Sequence, residues 1–264
     1  MKLKDCKRAA LLAVLVAAMV LALAGCGSTV SKGDTVGGET ATTGNSATSA
    51  TTAGSGSTDS DGAPTIPGLT YEKKMDLQYA TCFDVYYYND GYKLIDCHGD
   101  AQYLVVPEGK DVPAGLNSAI KVLQQPLDNI YCCATASMAL FDALDSMDAV
   151  TMTGTDASGW NIQAPVDALN SGKMVYAGKY SAPDYEMLVN KNCDLALEST
   201  MILHAPEVQE MIEQLGIPVF IEHSSNESEP LGRTEWVKVY GAMLNEEDEA
   251  DAFFAKQAAI MDEM

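Results

Sequence analysis

Short apolar runs alternate with amphipathic stretches beyond Pro126, and this pattern predicts secondary structure for most of the chain. Five runs, spaced about 20 residues apart, are of the continuous kind that is buried on both faces of a sheet. They span residues 129–133, 149–153, 174–177, 194–197 and 217–221. Helical periodicity lies between them, at 138–147, 164–169, 184–190 and 206–215. The sequence therefore predicts an α/β fold in which a parallel sheet is covered by helices on both faces.

Two local signals refine these helix boundaries. Gly216 is suited to close the helix that ends near residue 215, because glycine accepts the left-handed conformation of a helix C-cap. Ser181 and Asp184 form a capping-box pattern, which predicts a helix start at this point.

A β-hairpin is predicted before the parallel sheet. Residues 82–88 are rich in β-formers, Asn89-Asp90-Gly91 is a strong turn signal, and residues 92–97 return. A third strand, 103–106, stops at Pro107.

Two helices are predicted at the end of the chain. The first, 234–244, carries Trp236, Val239, Tyr240 and Met243 on one face. The second starts near Asn245, where acidic residues suit the positive end of a helix. Its apolar positions are Ala250, Phe253, Phe254 and Met261.

The first 26 residues resemble a bacterial lipoprotein signal peptide. A basic start precedes an uncharged run from Ala9 to Gly25, and Leu23-Ala24-Gly25-Cys26 has the form of a lipobox. Residues 1–25 are therefore predicted to be a cleaved signal, and Cys26 to carry acyl chains such as palmitate. Two chains give stable anchoring at the extracytoplasmic face of the cell membrane. The alternative is an uncleaved anchor helix.

Composition then divides the chain. Residues 26–68 are mostly Gly, Ser, Thr and Ala, which cannot bury enough apolar surface to offset the entropy of ordering, so they are predicted to be a disordered tether. Residues 69–232 are predicted to form the α/β lobe, and 233–264 the two final helices. The formal net charge is −21, and the basic first residues leave the remainder more negative still. Nucleic acid is excluded as a partner on this ground.

The predicted strand ends carry none of the common motifs for enzymatic chemistry. No Gly-x-Gly-x-x-Gly follows a strand, and neither a Walker loop nor a Gly-x-Ser-x-Gly elbow occurs. His98, His204 and His223 are scattered, so no metal site and no intrinsic cofactor are expected. The prediction is that the protein is not an enzyme.

The five cysteines beyond Cys26 are interpreted mainly as buried thiols. Strand alternation places Cys132 and Cys133 on opposite faces. A disulfide between Cys82 and Cys97 is left open, because these residues flank the hairpin and would face each other in one of its registers.

Three segments, 176–186, 194–201 and 230–236, resemble the iron–siderophore and cobalamin class of ABC-importer substrate-binding proteins. The resemblance runs from about Phe83 to the last residue. It implies two Rossmann-like lobes joined by a long helix, with a ferric siderophore, haem or corrinoid held between them. It also implies a membrane permease as the protein partner.

Candidate site residues follow the predicted strands, because ligands of such sheets bind beyond the carboxyl ends. Trp160 and Tyr180 could stack on a large flat ligand or could be packing cover. Hydroxyls at neighbouring ends are ligand candidates, with helix caps and turn bonds as alternatives: Thr135, Ser137, Ser199, Thr200 and Ser225. By the resemblance, Glu186 corresponds to a carboxylate that meets the permease; the alternative is a solvated side chain.

The final helix corresponds to the interlobe helix of that class, so the second lobe is expected to be absent. A truncated copy, a split gene and a fragment all agree with this interpretation. One lobe should bind a chelate weakly and should expose Phe253, Phe254 or apolar positions near them. Other functions left open are a single-lobe surface binding or interaction module, a non-functional truncated copy, and a secreted α/β enzyme.

Overall fold

The computed structural model of the chain describes residues 62–263. The predicted signal peptide, the lipidation site at Cys26 and most of the tether lie outside the described residues. Two five-stranded sheets, a small hairpin and seven α-helices make up the described part.

The first sheet contains the predicted hairpin. Its order is β1-β2-β3-β4-β5, antiparallel except for the last pair, which is parallel. The strands are β1 (Tyr71–Lys74), β2 (Phe83–Tyr88), β3 (Lys93–Cys97), β4 (Gln102–Val106) and β5 (Ile120–Gln124).

The second sheet is entirely parallel and follows the order β12-β11-β6-β7-β8. Its strands are β6 (Ile130–Cys132), β7 (Val150–Thr153), β8 (Val175–Tyr176), β11 (Leu195–Ser199) and β12 (Val219–Glu222). Strands β9 (Gly178–Lys179) and β10 (Ala182–Pro183) form a separate short hairpin.

Helices cover both faces of the second sheet, as predicted. They are α1 (Thr135–Ala143), α2 (Gln163–Ser171), α3 (Tyr185–Asn190), α4 (Pro206–Gln214), α5 (Pro230–Glu235), α6 (Val237–Leu244) and α7 (Glu247–Asp262). Helices α1, α6 and α7 share a core with the first sheet and one face of the second. Helices α3 and α4 cover the other face.

The hairpin, the five parallel strands and the helices between them are confirmed within a few residues. Strands β1 and β5 were not predicted, and neither were the two-residue strands β9 and β10. β1 is an exposed edge strand with a charged sequence, and β5 is interrupted by Lys121, so neither has the apolar pattern that indicates a strand.

Two predictions need correction. Buried contacts begin at Ala63 and Ile66, which pack on the first sheet, so the tether boundary at residue 68 was placed too late. Asp184, not Ser181, caps α3, accepting a hydrogen bond from the Met187 amide at 2.9 Å.

Apolar exposure near the chain end was predicted for Phe253, Phe254 or apolar positions near them. Phe254 is buried in an edge-on contact with Tyr79, and the exposed apolar positions lie in the last turns of α7. Ile260 and Met261 are each 47% exposed.

The cysteines behave largely as predicted. Cys132 and Cys133 do point into the cores on opposite faces of the second sheet. Cys82 and Cys97 are free thiols. Cys97 pairs across the ladder with Phe83, and the amide of His98 donates a hydrogen bond to the carbonyl of Cys82, which directly precedes β2.

Two buried glutamates attach the segment Gln78–Cys82 to the helices at the chain end. Glu235 accepts hydrogen bonds from the amides of Gln78, Tyr79 and Ala80, at 2.7 to 2.9 Å for the shortest contact of each. The Glu235 carboxylate also forms an ion pair with Lys238, whose Nζ lies 3.2 Å from Oε1. The cost of burying the charged carboxylate is therefore compensated by backbone hydrogen-bond donors and by a cation.

Glu227 does the same for the next two residues. It accepts from the amides of Thr81 and Cys82, each at 2.9 Å, and from the indole N–H of Trp236 at 3.0 Å. Burial raises the pKa of Glu227, but these hydrogen bonds outweigh it, and the net pKa lies below the ordinary value.

Candidate functional site

The carboxyl edge of the second sheet is the place where the fold positions a site. Parallel register aligns one residue from each strand end in a row across this edge. Cys132 pairs with both Leu197 and Thr153, so Cys133 lies between Glu198 on β11 and Gly154 after β7. The complete row is Ile221, Glu198, Cys133, Gly154 and Ala177.

Glu198 is the unusual member of this row. Its side chain faces the core beneath α3 and α4, and the residue is 0% exposed. Neither carboxylate oxygen accepts a hydrogen bond from a nitrogen or hydroxyl donor among the described residues. Burial raises the pKa of Glu198 to about 8, against a smaller lowering by the neighbouring Cys133 thiol. An uncompensated carboxyl at this place is costly for the fold, so it points to an interaction outside the described contacts.

Cys133 stands beside it and remains partly accessible. A Cβ on Gly154 would clash with Cys133 Sγ, so glycine leaves room for this thiol in its present position. The same point is 3.4 Å from the Gly178 carbonyl oxygen, which accepts a hydrogen bond from the Tyr131 hydroxyl at 2.7 Å. Burial raises the pKa of Cys133, with the Glu198 charge adding to the effect.

The two aromatic candidates lie at this edge and are half-buried. Trp160 packs on the main core, and its indole N–H donates to the Thr155 carbonyl at 3.2 Å. Tyr180 lies between β9 and β10 and packs on the opposite core. Both side chains therefore contribute to packing while keeping part of the ring accessible.

The hydroxyl candidates divide into two groups. Ser137 is fully buried and its hydroxyl lies 2.7 Å from that of Tyr240, so it is committed to the core and is withdrawn from the ligand set. Thr135 and Ser225 are exposed and Thr200 is half-buried. Ser199 accepts from the Met201 amide at 3.4 Å and caps the short 3-10 turn Thr200–His204.

Three apolar side chains at the same edge were not predicted. Tyr176 at the end of β8 is 46% exposed, and Met201 and Leu203 after β11 are 46% and 54% exposed. Single exposed apolar residues are ordinary, but three at strand ends give the edge an apolar character. For Met201 and Leu203, the available signal was their position after the predicted strand 194–197, whereas Tyr176 lies within the predicted strand 174–177.

Glu186 is exposed and is the second residue of α3. Within residues 62–263, no three His, Cys, Asp or Glu side chains are grouped so as to hold a metal ion. No helix in this range has the length and apolar character needed to cross a membrane.

Comparison with known proteins gives a limited set of similarities. No protein-family profile matches the chain. An uncharacterized lipoprotein of Methanocaldococcus jannaschii is 25% identical over 204 residues, which cover 68% of this chain and 49% of that protein. The chain therefore spans about half the length of this curated relative.

Several solved structures are similar to about half of this chain. A periplasmic haem-binding protein of Pseudomonas aeruginosa has a TM-score of 0.41 and 16% identity, over 50% of this chain and 43% of that one. A petrobactin-binding protein of Bacillus subtilis has a TM-score of 0.40 and 14% identity, over 51% and 45%. A ferric hydroxamate transport protein of Saccharomonospora viridis has a TM-score of 0.38 and 19% identity, over 50% and 47%.

Proposed function

We propose that this chain is the extracytoplasmic, lipid-anchored substrate-binding component of an ABC importer, and that it is not an enzyme. The observation that carries the proposal is the carboxyl edge of the parallel sheet, where Trp160 and Tyr180 present partly accessible rings beside exposed apolar side chains. The lipobox ending at Cys26 and the lipoprotein relative support the anchoring.

The ligand class proposed is a ferric siderophore, haem or corrinoid. Such ligands are large and partly flat, which suits stacking on aromatic rings. We assign the contacts to the residues that remain accessible at the edge: Thr135, Trp160, Tyr180, Ser199, Thr200 and Ser225.

Ligand binding is tested by titrating the full chain with haemin, ferrichrome and cyanocobalamin, using equilibrium dialysis together with tryptophan fluorescence. The chain has two tryptophans, and Trp236 is buried in the core, so quenching should come from Trp160. We expect one of the three ligands to bind, and Trp160→Phe to remove most of the quenching.

A matched control is Val112→Ala, which changes an exposed apolar residue in the loop before β5, outside the proposed contacts. It should bind as the wild type does. Binding that is unchanged in a Trp160→Ala/Tyr180→Ala double variant would contradict the proposed site.

The permease contact is assigned to Glu186. Glu207 provides a matched control, because it is also exposed and is also the second residue of a helix, α4. In cells of the native organism, Glu186→Lys should reduce ligand uptake while Glu207→Lys leaves it unchanged. Equal uptake by both variants would remove Glu186 from the proposed interface.

Anchoring is tested at Cys26. Cys26→Ser should abolish fatty-acid labelling of the protein and release it from the membrane or leave it uncleaved. Labelling that persists in this variant would contradict lipidation at Cys26.

A further inference from the structure

In two places in the domain, a cysteine lies next to a buried glutamate. The two glutamates differ in the hydrogen bonds that their carboxylate oxygens accept. Beside Cys82, both oxygens of Glu227 accept hydrogen bonds from backbone and side-chain donors. Beside Cys133, neither oxygen of Glu198 has such a partner. The second pair therefore has free donor capacity for a ligand.

The geometry around this second pair brings several electron-pair donors together. Register places Glu198 and Cys133 on neighbouring strands and on the same face, so their side chains are adjacent. Cys133 Sγ fills the position that a Cβ on Gly154 would take, and this position is 3.4 Å from the Gly178 carbonyl oxygen, which accepts a hydrogen bond from the Tyr131 hydroxyl. Because Cys133 is partly accessible and the adjacent Glu198 is completely buried, a small ion would enter past the thiol.

We propose that Cys133 and Glu198 form a site for one thiophilic divalent cation, of the class of Zn²⁺ or Cd²⁺, with the Gly178 carbonyl oxygen as a third ligand. This site is distinct from the proposed chelate-binding contacts and does not depend on them.

Charge and ligand chemistry favour this class of ion. Binding would release the thiol proton of Cys133 and the carboxyl proton of Glu198 to solvent, so one dication and two anions leave the assembled site neutral. Neutrality suits a carboxylate that is shielded from water. Thiolate ligands select zinc-like ions, whereas Mg²⁺ and Ca²⁺ prefer oxygen ligands alone.

Cadmium titration provides a direct test, because a thiolate–Cd²⁺ bond gives a charge-transfer absorption in the ultraviolet. The reduced full chain is used in detergent, with Cys6 and Cys26 changed to Ser in every sample. We expect one equivalent of Cd²⁺ to produce the band, Cys133→Ser to abolish it, and Glu198→Gln to weaken binding by roughly tenfold or more. Zn²⁺ should displace Cd²⁺ and remove the band, and Mg²⁺ should not.

The first pair supplies the matched control. Cys82→Ser should retain the band, because the neighbouring Glu227 is already fully hydrogen-bonded. Circular dichroism establishes that each variant is folded. A band that survives Cys133→Ser, or an affinity that Glu198→Gln leaves unchanged, would overturn the proposal, and Glu198→Gln decides the matter alone if Cys133→Ser does not fold.

Discussion

Glu235 and Glu198 are both completely buried, yet the fold treats them in opposite ways. Glu235 receives amide hydrogen bonds from a loop distant in sequence and an ion pair from Lys238. Glu198 receives no hydrogen bond from a nitrogen or hydroxyl donor of the described residues. The first carboxylate holds two parts of the domain together, whereas the second costs stability at the edge where ligands of such sheets bind.

The difference shows that burial alone does not determine what a carboxylate contributes. Backbone donors stabilise the charged form, and their absence favours the neutral form. The same substitution, Glu to Gln, should therefore have opposite signs at the two sites.

The largest effect is expected for Glu235→Gln. The amide group of Gln cannot accept from every amide N–H that faces Glu235, and Lys238 loses its buried partner. We expect a loss of about 4 kcal/mol in the free energy of unfolding, measured by urea denaturation. Glu229→Gln, at an exposed position preceding α5, is the control and should change stability little. A loss no greater than that of the control would show that the loop is held by other contacts.

Glu198→Gln should raise stability. The Glu198 pKa of about 8 lies above the ordinary value of 4.5, so at pH 7 the folded protein must hold a proton that the unfolded chain releases. Gln needs no proton on folding, so Glu198→Gln should add about 3 kcal/mol to the free energy of unfolding at pH 7. The measurement is made with a chelator present, so that no cation occupies the pair, and Glu186→Gln serves as the exposed control. Destabilisation by Glu198→Gln would indicate a hidden partner for the carboxylate.

The pH dependence of stability separates the two kinds of carboxylate. Between about pH 4.5 and 8, the raised pKa of Glu198 makes the wild type lose stability as pH rises, by up to about 1.4 kcal/mol per pH unit. The lowered pKa of Glu227 acts in the opposite sense, because its contribution is present above pH 4.5 and is lost as pH falls below that value.

We therefore expect thermal stability to peak near pH 5 in the wild type. In Glu198→Gln, the fall on the alkaline side of this peak should be much smaller, while the acid side is unchanged. Identical profiles for the two proteins would argue against an uncompensated Glu198.

Much of the fold was predictable because its elements have strong local patterns. The runs that become β6, β7, β11 and β12 are continuous and apolar, and the hairpin has a turn sequence that specifies its geometry. The hydrogen bonds from distant backbone amides to Glu235 and Glu227 were not predictable. Glu235 and Ala80, for example, are 155 residues apart, and no local pattern links them. Ile66 was missed for a similar reason, since its burial depends on the distant first sheet.

The site was only partly predictable. The strand ends placed Trp160, Tyr180 and most of the hydroxyls at one edge, but the role of Ser137 depended on a distant hydroxyl, that of Tyr240. Glu198 did carry a signal, because strand alternation from Ala196 directs it into the core. The sequence does not indicate whether a hydrogen-bond donor reaches the buried Glu198 carboxylate, because this depends on the register of the neighbouring strands.

The smallest effect is expected at Glu222. This residue tests whether the stability effect of a Glu→Gln substitution changes gradually with the number of hydrogen-bond donors to the carboxylate. It is buried at the end of β12, and one of its oxygens accepts from the Ser224 amide at 2.7 Å, so its environment lies between those of Glu235 and Glu198. Burial raises its pKa, while Ser224 and the nearby His223 lower it. In Glu222→Gln the side-chain amide oxygen can still accept the hydrogen bond from the Ser224 backbone amide. Removing a buried charge therefore stabilises the fold slightly, and little stability is lost in exchange. We expect a change within about 1 kcal/mol in urea denaturation at pH 7, on the stabilising side. A loss as large as that of Glu235→Gln would mean that one amide donor suffices to make a buried carboxylate indispensable, and the number of donors would not explain the contrast.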